Sequence, residues 1–94
     1  MELMTDDEYA VLQFGLIARP DLGVLIPGGG GIRKIRWGRA ERGKRGGVRV
    51  IYYWHVSGER IYMLLVYAKN ARDNLTAHQL KVLRQLVKEE FGRE

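Results

Sequence analysis

The 94-residue sequence predicts an α+β fold, a small antiparallel β-sheet flanked by helices, and three observations carry that prediction. Thr5 with Glu8, and Thr76 with Gln79, are two capping boxes, each followed by apolar residues at helical spacing. Between them, segments 32–37, 48–56 and 61–68 are rich in β-branched and aromatic residues. The order is helix, strand, strand, strand, helix, and 94 residues leave room for one core, so residues 1–94 read as a single domain.

Each element has a local reason. In the first helix, Asp6, Asp7 and Glu8 complement the dipole, while Met4 and Tyr9 stand at hydrophobic-staple spacing. Tyr9, Leu12, Leu16 and Ile17 form its apolar stripe, and Pro20 closes it by about Arg19. A short apolar run at 24–26 leads to Pro27 and glycines 28–31. The next strand alternates, with Ile32, Lys34 and Arg36 on one face and Arg33, Ile35 and Trp37 on the other. Residues 38–47 are a glycine-rich basic loop. In the second strand Arg49, Ile51, Tyr53 and His55 share one face; Val50, Tyr52 and Trp54 share the other. Ser57-Gly58 predicts a hairpin turn. Residues 61–68 are almost wholly apolar, as a central strand buried on both faces would be. The last helix carries Leu80, Leu83, Val87 and Phe91 along one side.

Composition excludes several functions. With no cysteine there is no disulfide scaffold, thiol nucleophile or Cys-ligated metal. No apolar run reaches membrane-span length and the start is acidic rather than signal-like, so the expected setting is the cytoplasm. The net charge of +5 is unevenly placed: residues 1–27 carry −4, residues 28–49 carry +7 and the remainder +2. A scattered +5 would read as a solvated surface, but +7 in 22 residues points to a polyanion, most simply nucleic acid.

Two weaker motifs fall away. Gly38, Gly43 and Lys44 spell most of a phosphate-binding loop, but Arg45 stands where Ser or Thr must hold magnesium, and a strand follows where a helix is needed. Neither His55 nor His78 has a partner at metal spacing, so no metal site and no cofactor are expected.

The informative set is Lys34, Arg36 and Arg49, with Lys69 where the last strand ends. Neighbouring strands direct these cations to one patch. RNA cleavage needs a 2′-hydroxyl activated, a leaving 5′-oxygen protonated and charge on phosphorus neutralised, and clustered cations can supply all three. A lysine among arginines has its proton affinity lowered toward neutrality. Arg33, Lys44, Arg45, Tyr53 and His55 are the accompanying RNA-binding candidates, Tyr53 as a surface for base stacking.

The runs GGIRKIRW (30–37), GKRGGVRVIYYW (43–54) and LLVYAKNARDNLT (64–76), with LMTDDEYAVLQ at 3–13, resemble the RelE/ParE superfamily of toxins from type II toxin–antitoxin systems, most closely its HigB-like branch. The resemblance implies a RelE-like fold and a metal-independent ribonuclease that cuts mRNA on the translating ribosome. It also implies a cognate antitoxin, encoded adjacently and of helix-turn-helix type, that silences it. Carried over by position, the family's cleaving cations fall on Lys34, Arg36 and Arg49, with Lys69 closing the last strand. A ParE-like toxin that binds DNA gyrase without chemistry, or an inactive RNA- or ribosome-binding module, are the competing readings. Two departures stand out. The family pattern opens with a further strand and helical segment, so this sheet is expected to lack an edge strand and to leave its neighbour open to self-association or to the antitoxin. The C-terminal Tyr or His that some relatives use as general base has no clear counterpart.

Overall fold

The computed structural model describes residues 5–37, 47–56, 59–68 and 74–91. Six elements run in the order α1 (Asp6–Ala18), β1 (Val24–Leu25), β2 (Ile32–Trp37), β3 (Val48–His55), β4 (Arg60–Ala68) and α2 (Ala77–Phe91). The strands form one antiparallel sheet in the order β1-β2-β3-β4, and the fold is α+β as the sequence predicts. Met4, the loop at 38–46, the Ser57-Gly58 turn and Lys69 lie outside the described residues.

Both helices begin at the capping boxes. The Thr5 hydroxyl accepts from the Glu8 N–H at 3.1 Å, and Glu8 Oε1 accepts from the Thr5 N–H at 2.8 Å. Thr76 and Gln79 repeat the arrangement, both at 3.0 Å. Each box satisfies two backbone donors that a helix start would otherwise leave bare.

The helices pack on opposite faces of the sheet. Leu12 and Leu16 of α1 meet Ile35, Val48, Val50 and Tyr52, with Trp37, Trp54, Ile61, Met63 and Val66 around them. On the other face Val87 meets Ile32, Ile51 and Tyr67, supported by Leu83 and Phe91 of α2. The strict alternation of β2 and β3 assigns their residues to these two cores.

Three details depart from the sequence reading. The run at 24–26 contributes a fourth strand, the two-residue β1, which pairs Val24 with Lys34 and Leu25 with Arg33. The apolar β4 is an edge strand rather than a central one: among the described residues it pairs with β3 alone. Its side chains are apolar on both sides because each face of the sheet carries a helix, and most are half-buried where the central β3 is buried. The stripe of α1 is also narrower than predicted. Leu12 and Leu16 are buried, but Ile17 is largely exposed and Tyr9 lies at the margin.

A buried tie holds the turn between α1 and β1 against the sheet. The Tyr52 hydroxyl accepts from the Gly23 N–H at 2.8 Å and donates to the Pro20 carbonyl at 2.7 Å. Burial, the largest influence, raises the Tyr52 pKa above its ordinary 10.0. The Gly23 hydrogen bond and Arg33 pull it the other way, while Asp21 pushes it up. Gly23 must be glycine there, since a Cβ would come within 2.8 Å of the Lys34 carbonyl oxygen and 2.9 Å of the Tyr52 ring.

Candidate nucleic-acid interface

The register of β2 on β3 builds the cationic cluster. Arg36 stands directly across from Arg49, and Lys34 directly across from Ile51. Lys34 and Arg36 are two residues apart on one strand and so share a face, about 7 Å from each other. Directly opposed residues in an antiparallel pair have Cα atoms about 4.5–5.5 Å apart, and like charges so placed destabilise the sheet. The ladder therefore sets two cations side by side on one face of the sheet.

The three cations differ in setting. Arg36 is exposed. Lys34 is half-buried and its Nζ donates to Asn74 Oδ1 at 2.7 Å, at the rim of a groove of about 420 Å³ between the β1 hairpin and the start of α2. Arg49 is only 3% exposed, beside its cross-strand neighbour Tyr67. The open patch foreseen from alternation is thus two accessible cations above a sunken guanidinium. An arginine keeps its charge even when buried, so Arg49 still contributes to the field. Among the described residues, no carboxylate forms an ion pair with Lys34 or Arg36.

Tyr53 and His55 share that face; Tyr53 stands across from Ile32, two residues along β2 from Lys34, and His55 lies beyond it. His55 lies six residues along β3 from Arg49, about 20 Å at strand rise, and Tyr53 about 13 Å. Both rings are covered by α2. Phe91 stacks on Tyr53 with centroids 5.2 Å apart and lies 4.8 Å from His55, while Tyr62 closes the cluster at 4.7 Å from Phe91. The covering follows from the apolar stripe of α2, which reaches Phe91 at the end of the helix. His55 is 8% exposed, so its ring offers no free stacking surface, whereas Tyr53 is half-buried and lines a groove with Gly30, Arg84 and Phe91.

Arg33 faces the other way. It pairs with Tyr52, on the α1 side, where its Nη1 donates to the Gly23 carbonyl at 2.7 Å and its guanidinium lies 6.0 Å from the Trp54 ring centroid. These contacts give it a structural occupation away from the cationic face. Lys44, Arg45 and Lys69 lie outside the described residues. Exposed His78 sits in the first turn of α2, and among the described residues no three His, Asp or Glu side chains gather to hold a metal ion.

Sequence reasoning missed two participants. Asn74 positions Lys34 from forty residues away, a contact that only the packing of the segment before α2 creates. Arg84 of α2 donates to the Gly28 carbonyl at 3.0 Å and ties the helix to the glycine turn. Neither has a local sequence signal beyond being polar beside a capping box or on the outer side of a helix.

No helix among the described residues is long and apolar enough to cross a membrane. Residues 25–94 match the family model described as the RelE toxin of the RelE/RelB toxin–antitoxin system. The matched region runs from β1 through α2, so it contains Lys34, Arg36 and Arg49 together with the strands that oppose them. The match covers well over half of the chain: the protein belongs to the RelE toxin family, whose members are toxins of toxin–antitoxin systems and generally inhibit translation as mRNA endoribonucleases.

Proposed function

We propose that this chain is a ribosome-dependent mRNA endoribonuclease of the HigB-like branch, acting in the cytoplasm without a metal and silenced by an adjacently encoded helix-turn-helix antitoxin. The observation that supports it most is the cationic cluster, with Arg36 set against Arg49 across the ladder and Lys34 on the same face. A bent RNA phosphate seated over Arg36 would have its developing charge neutralised by both guanidiniums. Lys34, held by Asn74, stands where an ammonium can exchange a proton with the attacking 2′-hydroxyl or the departing 5′-oxygen. Lys69 joins this set in the proposal, and Lys44 and Arg45 supply further phosphate contacts. The clustered charges favour cleavage over gyrase binding, which needs no such set.

The discriminating test is to measure rate and affinity separately on programmed ribosomes. Arg36 is exposed, so Arg36→Ala should fold normally. As a catalytic residue it should cost about 10²-fold or more in cleavage rate. Ribosome affinity should change by no more than the loss of one phosphate contact, about one unit of salt slope. Equal losses in rate and affinity, or no cleavage by the wild type, would leave a binding module.

A further inference from the structure

Beyond Lys34 a second groove lies between α2 and the glycine turn. It holds about 380 Å³ and is lined by Gly30, Tyr53, Arg84, Gln85, Lys88 and Phe91. Tyr53 stands across from Ile32, so its position is one two-residue step, about 7 Å, past Lys34 on the face that carries Lys34 and Arg36. The helix leads the same way. Leu80 lines the groove at whose rim Lys34 meets Asn74, and Arg84 and Lys88 follow it at steps of four residues, about 6 Å each along α2. With Lys81, they put three cations on one side of the helix.

The lining suits a nucleotide. Arg84 and Lys88 are exposed, and among the described residues neither forms an ion pair with a carboxylate. Arg84 is already held in place. Its Nη1 donates to the Gly28 carbonyl at 3.0 Å, and its stem packs on Gly30, where a Cβ would come within 3.2 Å of Arg84 Cγ. That bond uses one of five N–H donors, which leaves most of the planar fork for a phosphate. Phe91 stacks on Tyr53 and fixes the ring, while the half-buried ring still borders the groove. A guanidinium beside a fixed aromatic ring is a combination by which single-stranded RNA is held, phosphate on the cation and base on the ring.

We propose that this groove is a subsite for an mRNA nucleotide flanking the cut, with its phosphate on Arg84 and Lys88 and its base against Tyr53. The inference rests on the RNA-cleaving reading for the position of the cut, but not for the binding of RNA. A strand whose scissile phosphate sits over Arg36 and Arg49 passes Lys34 on its way to the groove.

Two measurements test it. The first titrates the isolated chain with a 2′-O-methyl RNA tetranucleotide, which has no free 2′-hydroxyl to attack, and follows the Gly30 amide, the Arg84 side chain and the Tyr53 ring by NMR. All three should shift, and Lys88→Ala should weaken binding severalfold and lower the salt slope by about one unit. The second follows single-turnover cleavage on programmed ribosomes against chain concentration. Lys88→Ala and Arg84→Ala should raise the half-saturating concentration and leave the maximal rate unchanged, the reverse of the pattern for Arg36→Ala. An uncharged methylphosphonate, placed in turn at the phosphates flanking the cut, should weaken wild type at one position and have no further effect there on Lys88→Ala. Absence of shifts at the groove overturns the subsite even if mRNA is cut. Additive losses at every position overturn it as well, because Lys88 then meets RNA of the ribosome instead. Shifts at the groove without cleavage by the wild type support the groove as an RNA site and remove the nuclease reading.

Discussion

At the scale of single residues, two side chains show how burial decides what a group does. Tyr52 is a phenol at the centre of the sheet, and its hydroxyl is held on both sides by backbone. Tyr52→Phe would strand a buried N–H at Gly23 and a carbonyl at Pro20, which should cost about 1–3 kcal/mol in a chemical-denaturation experiment. It should also change the pH dependence. The folded pKa lies above the ordinary value of 10.0, so the native state holds its proton when the unfolded chain has lost it. Stability from this source is complete below pH 10 and falls as pH rises from there toward the folded pKa. Denaturation midpoints measured across that range should fall more steeply for wild type than for Tyr52→Phe, and equal slopes would contradict the assignment. Arg49 is the second case. Alternation in the sequence shows which face it takes, but not that it lies beneath that surface, because depth depends on neighbours supplied by β4 and the rest of the fold.

At the scale of elements, the short-range signals were the readable ones. The capping boxes at Thr5 and Thr76, Pro20 after α1, and the alternation of β2 and β3 all act within a few residues, and each element they predict is present. What the sequence could not show is position within the sheet. An apolar strand reads the same whether it is central or lies at an edge with a helix over each face, which is why β4, an edge strand among the described residues, reads as a central one. The same holds for α2. Its stripe was legible, but the partners of Phe91 were not, since Tyr53, His55 and Tyr62 reach it only through the register of β3 and β4. Phe91→Ala should therefore loosen the end of α2 and cost about 2–3 kcal/mol, less than a fully buried Phe because the ring is only half-buried. Its sign would be faster exchange at the Tyr53, His55 and Tyr62 rings in NMR line shapes. Loss of stability without any change at those rings would mean that the cluster does not hold the helix.

At the scale of the whole molecule, charge and topology divide the labour. The acidic first third folds into α1 and the turn after it, on one face of the sheet. The basic middle third supplies β2 and the start of β3, whose ladder sets Arg36 against Arg49 on the other face. The candidate site was legible as a set of residues because two alternating strands and one charge count were enough to find it. Its geometry was not legible, because the six-residue separation of His55 from Arg49 becomes a distance of about 20 Å only once both lie on one straight strand. The central claim is that this face cuts mRNA during translation. The most direct measurement is to induce the wild-type chain and a Lys34→Ala/Arg36→Ala variant in cells without antitoxin and map mRNA 5′ ends, with protein levels matched. The account predicts new, translation-dependent ends with wild type and their loss with the variant. Growth arrest without new ends, or the same ends from both proteins, would contradict it.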